Sequence, residues 1–324
     1  MSLVLMQERN ADAGDVARAL LPPCFELVIA HPRSGEFREA LAEARYLIAW
    51  PSPHQDDDFY RSAPKLKLMQ LMSVGYDGLD LDAAQRAGVL IATNGGANAG
   101  AVAEHTLMLM LATSRRVVAQ HNATVSGHWQ VDGGTPDYRE LAGTTLGLVG
   151  MGTIARKVAR LATAFGMAVR YYSRTPLSPE VEDETGSRFM LLPELLQCAD
   201  VVSLHVPLTP QTRGSIGARE LGWMKPGAIF INTARGELVD EAALYQALLA
   251  RRLFAAGLDV FATEPLPGDS PLLTLDNVVL TPHRAGVGKQ NLAARFRNFY
   301  LNFERVERGE RPLWVISEPQ RTIS

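Results

Sequence analysis

The chain has 324 residues, 47% apolar and 21% charged, with a formal net charge of −3. That length exceeds one ordinary core and points to two domains, while the near-neutral charge gives no electrostatic case for nucleic-acid binding, where a basic face would be expected. No apolar run approaches the roughly 20 residues of a membrane span, and MSLVLMQERN lacks the pattern of a secretory leader. A cytoplasmic protein with neither nucleic-acid nor membrane partners is expected.

In chain order, FELVIA (25–30), RYLIAW (45–50), LKLMQLM (66–72) and VLIAT (89–93) read as strands, each followed by turn chemistry or a helical stretch. Cys24 and Cys198 lie far apart in apolar surroundings. They read as two buried thiols in a reducing compartment, not as a disulfide or metal site. The segment 101–122, AVAEHTLMLMLATSRRVVAQHN, reads as one long helix, with His105 a buried structural residue. Behind it, 125–143 is irregular and too long for an ordinary connection. It reads as a lid or an arm, exposing Trp129, Val131, Tyr138 and Leu141.

From residue 146 to 282 the alternation resumes with LGLVG, AVRYYS, VVSLHV, AIFINTA, AAGLDVF and NVVLTP. Continuous apolar strands alternating with helices indicate parallel sheets covered on both faces. In 289–309, Leu292, Phe296, Phe299 and Phe303 recur at helical spacing. That amphipathic helix can return the chain to the first unit.

Chemistry enters at LGLVGMGTIA. Gly150, Gly152 and Ala155 form G-x-G-x-x-A around Met151, Thr153 and Ile154, between a strand and a helix start. Such glycines permit a tight turn and let backbone approach a dinucleotide pyrophosphate at the helix N-terminus. The following strand usually ends in an acid that grips the ribose diol. Here it ends in Ser173, Arg174 and Thr175, and no acid occurs from Leu141 to Pro179. Two hydroxyls and a guanidinium, with Lys157 and Arg170 nearby in sequence, suit the 2′-phosphate of NADP. The alternative is a solvated Arg174 and NAD bound without the acid.

Three later strands end in reactive groups: INTARGELVD in Arg235, GLDVFATEPLP in Asp259 and Glu264, and VVLTPHRAG in His283. Their types fit reduction of a 2-keto acid. Arg235 can hold the carboxylate and polarise the ketone, and His283 can give the proton. Glu264 can fix the imidazole tautomer and favour its protonated form.

The chain resembles the D-isomer-specific 2-hydroxyacid dehydrogenase family over essentially its full length. The matching segments are SVGYDGLD (73–80), NAGAVAEHTLMLML (98–111), GLVGMGTIA (147–155), HVPLTPQTRGSI (205–216), INTARGELVDEAAL (231–244), DVFATEPLP (259–267) and TPHRAG (281–286). The resemblance implies an α/β fold of two Rossmann-like domains with parallel sheets and a cleft between them. A flavodoxin-like substrate domain would comprise 1–100 and 285–324, and a doubly wound dinucleotide-binding domain 101–284. It further implies that Arg235, Glu264 and His283 are the catalytic trio. Backbone N–H groups of Val74 and Gly75 would meet the substrate carboxylate. His205, Val206, Pro207, Thr212, Thr233, Ala234 and Asp259 would line the cofactor, and the arm would form a homodimer contact.

Ser-Arg-Thr is the pattern of members that reduce glyoxylate and hydroxypyruvate with NADPH, which is therefore the favoured activity. An NAD-dependent D-lactate-type dehydrogenase and a dinucleotide-sensing binding protein are the alternatives. Arg284, beside His283, either binds an acidic substrate tail or faces solvent. His31, His54, His121 and His128 show no metal-like spacing, and no metal is expected.

Overall fold

The computed structural model describes residues 1–8, 11–129 and 137–317. The chain divides into two compact units, Met1–Asn98 with Gly288–Ser324 (unit 1) and Ala99–Val287 (unit 2). The expected limits fall a few residues away. Ala285 stays with unit 2 because its N–H donates to Asp259 Oδ2 at 2.8 Å.

Unit 1 is built on five parallel strands, β1 (Ser2–Gln7), β2 (Phe25–Ala30), β3 (Tyr46–Ala49), β4 (Leu68–Leu71) and β5 (Leu90–Ala92), in the order 5-4-3-1-2. That is the flavodoxin-like order. The helix Lys289–Glu307 lays Phe296, Phe299 and Phe303, all fully buried, against this sheet's core. Their three- and four-residue spacing puts them on one helix face. Phe303 stacks on Tyr46 with ring centroids 4.5 Å apart, and the Tyr46 hydroxyl donates to Glu307 Oε1 at 2.8 Å.

Unit 2 holds seven strands: β6 (Thr145–Val149), β7 (Ala168–Tyr172), β8 (Ser187–Phe189), β9 (Val201–Leu204), β10 (Ile229–Asn232), β11 (Ala255–Leu258) and β12 (Val278–Leu280). They run parallel in the order 12-11-10-9-6-7-8. Alternate residues enter opposite cores. Ile229 and Ile231 join Leu146 and Leu148 on one face, whereas Phe230 joins Val202 and Leu204 on the other. The strand order reverses between β6 and β9, and ligands of open α/β sheets bind at the carboxyl ends beside such a reversal. A final strand, β13 (Val315–Ser317), pairs antiparallel with β5 in unit 1.

Several expectations need correction. The helix expected over 101–122 is two helices, Ala99–Ser114 and Val117–Val125, separated by Arg116 at φ 50°. The Ser114 carbonyl, which a continuing helix would use internally, accepts the Arg139 N–H at 2.9 Å instead. Leu141 is buried in the core of unit 2, because the turn closed by Thr144 N–H on Leu141 O delivers it there at the start of β6. Tyr138 is partly buried, with the Arg115 guanidinium 5.7 Å from its ring centre, while Trp129 is 88% exposed. Val131 lies outside the described residues. Cys24 is exposed: the turn closed by Phe25 N–H on Pro22 O sends Phe25 inward and leaves the preceding thiol outside. Strands β1, β8 and β13 are not among the expected elements; β8 and β13 have three residues each, while β1 rests on the apolar run LVLM (3–6). No helix among the described residues is long and apolar enough to cross a membrane.

Candidate active site

The glycine turn after β6 is shaped by close packing. Gly150 has φ 100°, and a Cβ there would lie 2.5 Å from the His205 carbonyl oxygen, so the first turn of the motif admits only glycine. Gly152 differs. It caps the twelve-residue helix Thr153–Ala164 without any side-chain hydrogen bond, and nothing lies within 4 Å of an added Cβ. Open space before unsatisfied helix N–H groups is what a pyrophosphate occupies. Ala155 is fully buried, and Met151 closes the turn from the core side. Ile154 packs against the same core, while Thr153 is exposed beside the turn. These residues therefore fit a dinucleotide.

Beyond β7, Ser173 Oγ donates to Thr175 O at 2.6 Å, which turns the chain tightly under Arg174. The Arg174 side chain is exposed and makes no ion pair among the described residues. Beyond β9, the His205 N–H donates to Val149 O at 2.7 Å and its Nε2 lies 2.9 Å from Ser203 Oγ. Burial pushes the His205 pKa down to about 4, so the ring is neutral at physiological pH. A Val206 methyl packs on Gly150, while Pro207 is exposed. The Thr212 hydroxyl donates to Pro207 O at 2.7 Å and accepts the Thr209 N–H at 2.8 Å, so it holds that turn together.

Past β10, the Asn232 side chain braces the next loop by accepting the Ala234 N–H at 3.0 Å and donating to Arg235 O at 2.8 Å. Arg235 is half-buried, and its Nη1 donates to Ala234 O at 2.6 Å. Gly236 then passes so close to Phe261 that a Cβ would sit 1.9 Å from the Phe261 carbonyl carbon. The loops after β10 and β11 are thereby held in backbone contact. Past β11, Glu264 Oε1 accepts the Phe261 N–H at 3.1 Å and Oε2 lies 2.7 Å from His283 Nδ1. A carboxylate partner makes Nδ1 the donor and leaves Nε2 for proton transfer.

His283 is a non-glycine residue at φ 52°, and its N–H donates to Asp259 O at 2.8 Å. The Asp259 side chain is fully buried. Oδ1 accepts from Arg284 N–H at 2.8 Å and Thr281 Oγ1 at 2.6 Å, and Oδ2 accepts from Ala285 N–H. This carboxylate therefore sets the backbone on which His283 stands. Exposed Arg284 contributes its backbone to that network.

Two residues reach the same edge from the helix Ala99–Ser114: Thr106, missed in sequence, and His105, expected as a buried structural residue and found half-buried. His105 Nε2 lies 2.9 Å from Thr281 Oγ1 and 3.5 Å from Asp259 Oδ1, and Thr106 Oγ1 lies 3.0 Å from Thr233 Oγ1. The available signal was a His-Thr pair inside an apolar helix, since buried polar groups need partners. All expected sites of unit 2 thus stand at carboxyl ends of one sheet. Val74 and Gly75 belong to unit 1, beyond β4, where Ser73 Oγ donates to Gly75 O at 2.5 Å.

The family model for D-isomer specific 2-hydroxyacid dehydrogenase, NAD binding domain, matches residues 107–285. The chain is 37% identical over 291 residues to the glyoxylate reductase of Korarchaeum cryptofilum, covering 89% of this chain and 87% of that one. It is 38% identical over 286 residues to the D-3-phosphoglycerate dehydrogenase of Methanocaldococcus jannaschii, covering 88% of this chain and 54% of that one. The crystal structure of D-lactate dehydrogenase with NAD+ from Lactobacillus jensenii matches at TM-score 0.83 and 27% identity, covering 98% of this chain and 100% of that one. A glycine turn shaped for a dinucleotide and a full-length likeness to such enzymes agree: the chain belongs to the D-isomer-specific 2-hydroxyacid dehydrogenase family and is an NAD(P)-dependent oxidoreductase.

Proposed function

We propose that the protein reduces a small 2-keto acid, with glyoxylate or hydroxypyruvate favoured, to the D-2-hydroxy acid with NADPH. The observation that carries the chemistry is the 2.7 Å contact between Glu264 and His283 Nδ1, one strand along from Arg235. Arg235 binds the substrate carboxylate and polarises the ketone. His283 delivers a proton from Nε2 to the carbonyl oxygen, and Glu264 holds the ring in the tautomer that permits this. The nicotinamide, when bound, supplies the hydride. Val74 and Gly75 in unit 1 offer backbone N–H groups to the carboxylate, so unit 1 is the substrate domain and unit 2 the dinucleotide domain.

Gly150–Ile154 receive the pyrophosphate, and Ser173, Arg174 and Thr175 the 2′-phosphate. His205, Val206, Pro207, Thr212, Thr233, Ala234 and Asp259 line or brace the remainder. The name of the Korarchaeum relative supports the substrate class, and the acid-free end of β7 supports NADPH. The enzyme works as a cytoplasmic homodimer, which its two free cysteines and an apolar face on unit 2 support.

Steady-state kinetics over a panel of 2-keto acids with both cofactors tests this. Glyoxylate or hydroxypyruvate with NADPH should give the highest kcat/KM, and Arg174→Ala should raise KM for NADPH more than for NADH. Better efficiency with NADH and pyruvate would replace it with the NAD-dependent D-lactate-type reading. No turnover with any keto acid would leave a dinucleotide-sensing protein.

A further inference from the structure

One side chain closes the base of the loop that carries Ser173, Arg174 and Thr175. Tyr171 in β7 has no exposed surface. Its hydroxyl accepts the Leu177 N–H at 2.7 Å and donates to Glu182 Oε1 at 2.9 Å. Glu182 belongs to the helix Pro179–Thr185, and the same oxygen accepts the Phe189 N–H of β8 at 3.0 Å. Strand, loop, helix and next strand are thus joined through one buried phenol and one carboxylate. At its other end the loop is tied to the glycine turn, because the Gly150 N–H donates to Tyr172 O at 2.8 Å.

We propose that Tyr171, acting through Leu177 and Glu182, is a positioning residue that sets the discrimination between NADPH and NADH. The proposal rests on the assignment of Ser173 and Arg174 to the 2′-phosphate. Hydroxyl and guanidinium groups recognise a phosphate only in defined geometry. A short loop without regular structure must be ordered beforehand, or binding bears the entropy of ordering it. The Tyr171 hydroxyl provides that order without touching the ligand. NADH carries no 2′-phosphate and gains nothing from the loop's shape, so its binding does not depend on the phenol.

Calorimetric titration of the full-length enzyme with NADPH and with NADH, alongside glyoxylate kinetics, tests this. Tyr171→Phe keeps the ring and removes the hydroxyl. Its Kd and KM for NADPH should rise by about three- to tenfold, the effect of one lost hydrogen bond. Its kcat, and its Kd for NADH, should stay within about twofold. Equal weakening of both cofactors, or none, overturns the proposal, since a purely structural role moves both alike. If Tyr171→Phe does not fold, Glu182 decides. Glu182→Gln keeps an acceptor oxygen and should preserve the NADPH-to-NADH ratio of Kd, whereas Glu182→Ala should shift it against NADPH. An unshifted ratio in Glu182→Ala overturns the proposal. Arg174→Ala runs in parallel. If it weakens NADPH and Tyr171→Phe does not, the positioning role fails and the NADPH assignment stands. If Arg174→Ala leaves NADPH binding untouched, the assignment fails and takes the positioning role with it.

Discussion

Glu264 serves two donors at once, the His283 ring at 2.7 Å through Oε2 and the Phe261 N–H at 3.1 Å through Oε1. A carboxylate can accept from both, but an amide offers one oxygen and must turn its NH₂ towards the other donor. Glu264→Gln should therefore lower kcat for keto-acid reduction by about tenfold or more, the range of one lost charged hydrogen bond. His283→Ala should lower it by roughly 10²–10⁴-fold. Near-parental kcat in both variants would remove the pair from the chemistry.

The glycines of the dinucleotide turn and of the loop after β10 should separate cleanly. Gly152→Ala adds a methyl into open space at an extended backbone position. It should fold with a Tm within about 1 °C of the parent, less than 1 kcal/mol for a chain this size. Its dinucleotide affinity should nevertheless fall about tenfold, as expected when N–H contacts to a charged phosphate are blocked. Calorimetry showing parental affinity would mean that the ligand does not approach Gly152.

Gly236→Ala should behave in the opposite way. Its methyl would meet the Phe261 backbone, which cannot rotate aside as a side chain can. A loss of at least ~3 kcal/mol is expected, or roughly 4–5 °C in Tm. Differential scanning calorimetry checks this, and a parental Tm would contradict the contact.

The pH dependence of stability should carry the signature of His205, whose pKa is depressed by burial to about 4. Unfolded, the ring titrates near 6.5. Between those values the unfolded chain binds the extra proton, so the contribution is complete above about pH 6.5 and is lost as pH falls towards 4. At most about 2 kcal/mol should disappear between pH 7 and pH 5 through this group. Urea melts at the two pH values should show a smaller difference in His205→Gln than in the parent. An unchanged difference would count against the neutral ring.

Met108, Leu111, Val117 and Phe165 are exposed on unit 2, and with Leu107 and Leu161 they line one apolar groove. Exposed apolar side chains that lie together are candidates for burial against a partner, and two-fold pairs are the commonest oligomers. Sedimentation at micromolar concentration should give a dimer for the parent and a monomer for Leu111→Glu. A monomeric, fully active parent would exclude the symmetric pair.

Strand, turn and motif were legible in the residues themselves because their causes are local. The apolar runs from FELVIA to NVVLTP announce buried parallel strands, and Gly150-x-Gly152 announces a phosphate turn, since backbone sterics act over a few residues. The helix Lys289–Glu307 was equally plain from the spacing of Phe296, Phe299 and Phe303. Partners across the sheet were not. That His105 reaches Thr281, that Asp259 accepts Arg284 and Ala285, and that Gly236 lies on Phe261 depend on strands brought side by side by strand order. The same holds where expectation failed. The break at Arg116 and the burial of Leu141 follow from the Arg139 hydrogen bond and from the turn into β6. Local propensity says what each segment prefers, and the long-range hydrogen bonds made on packing decide where a helix stops and which side chain faces inward.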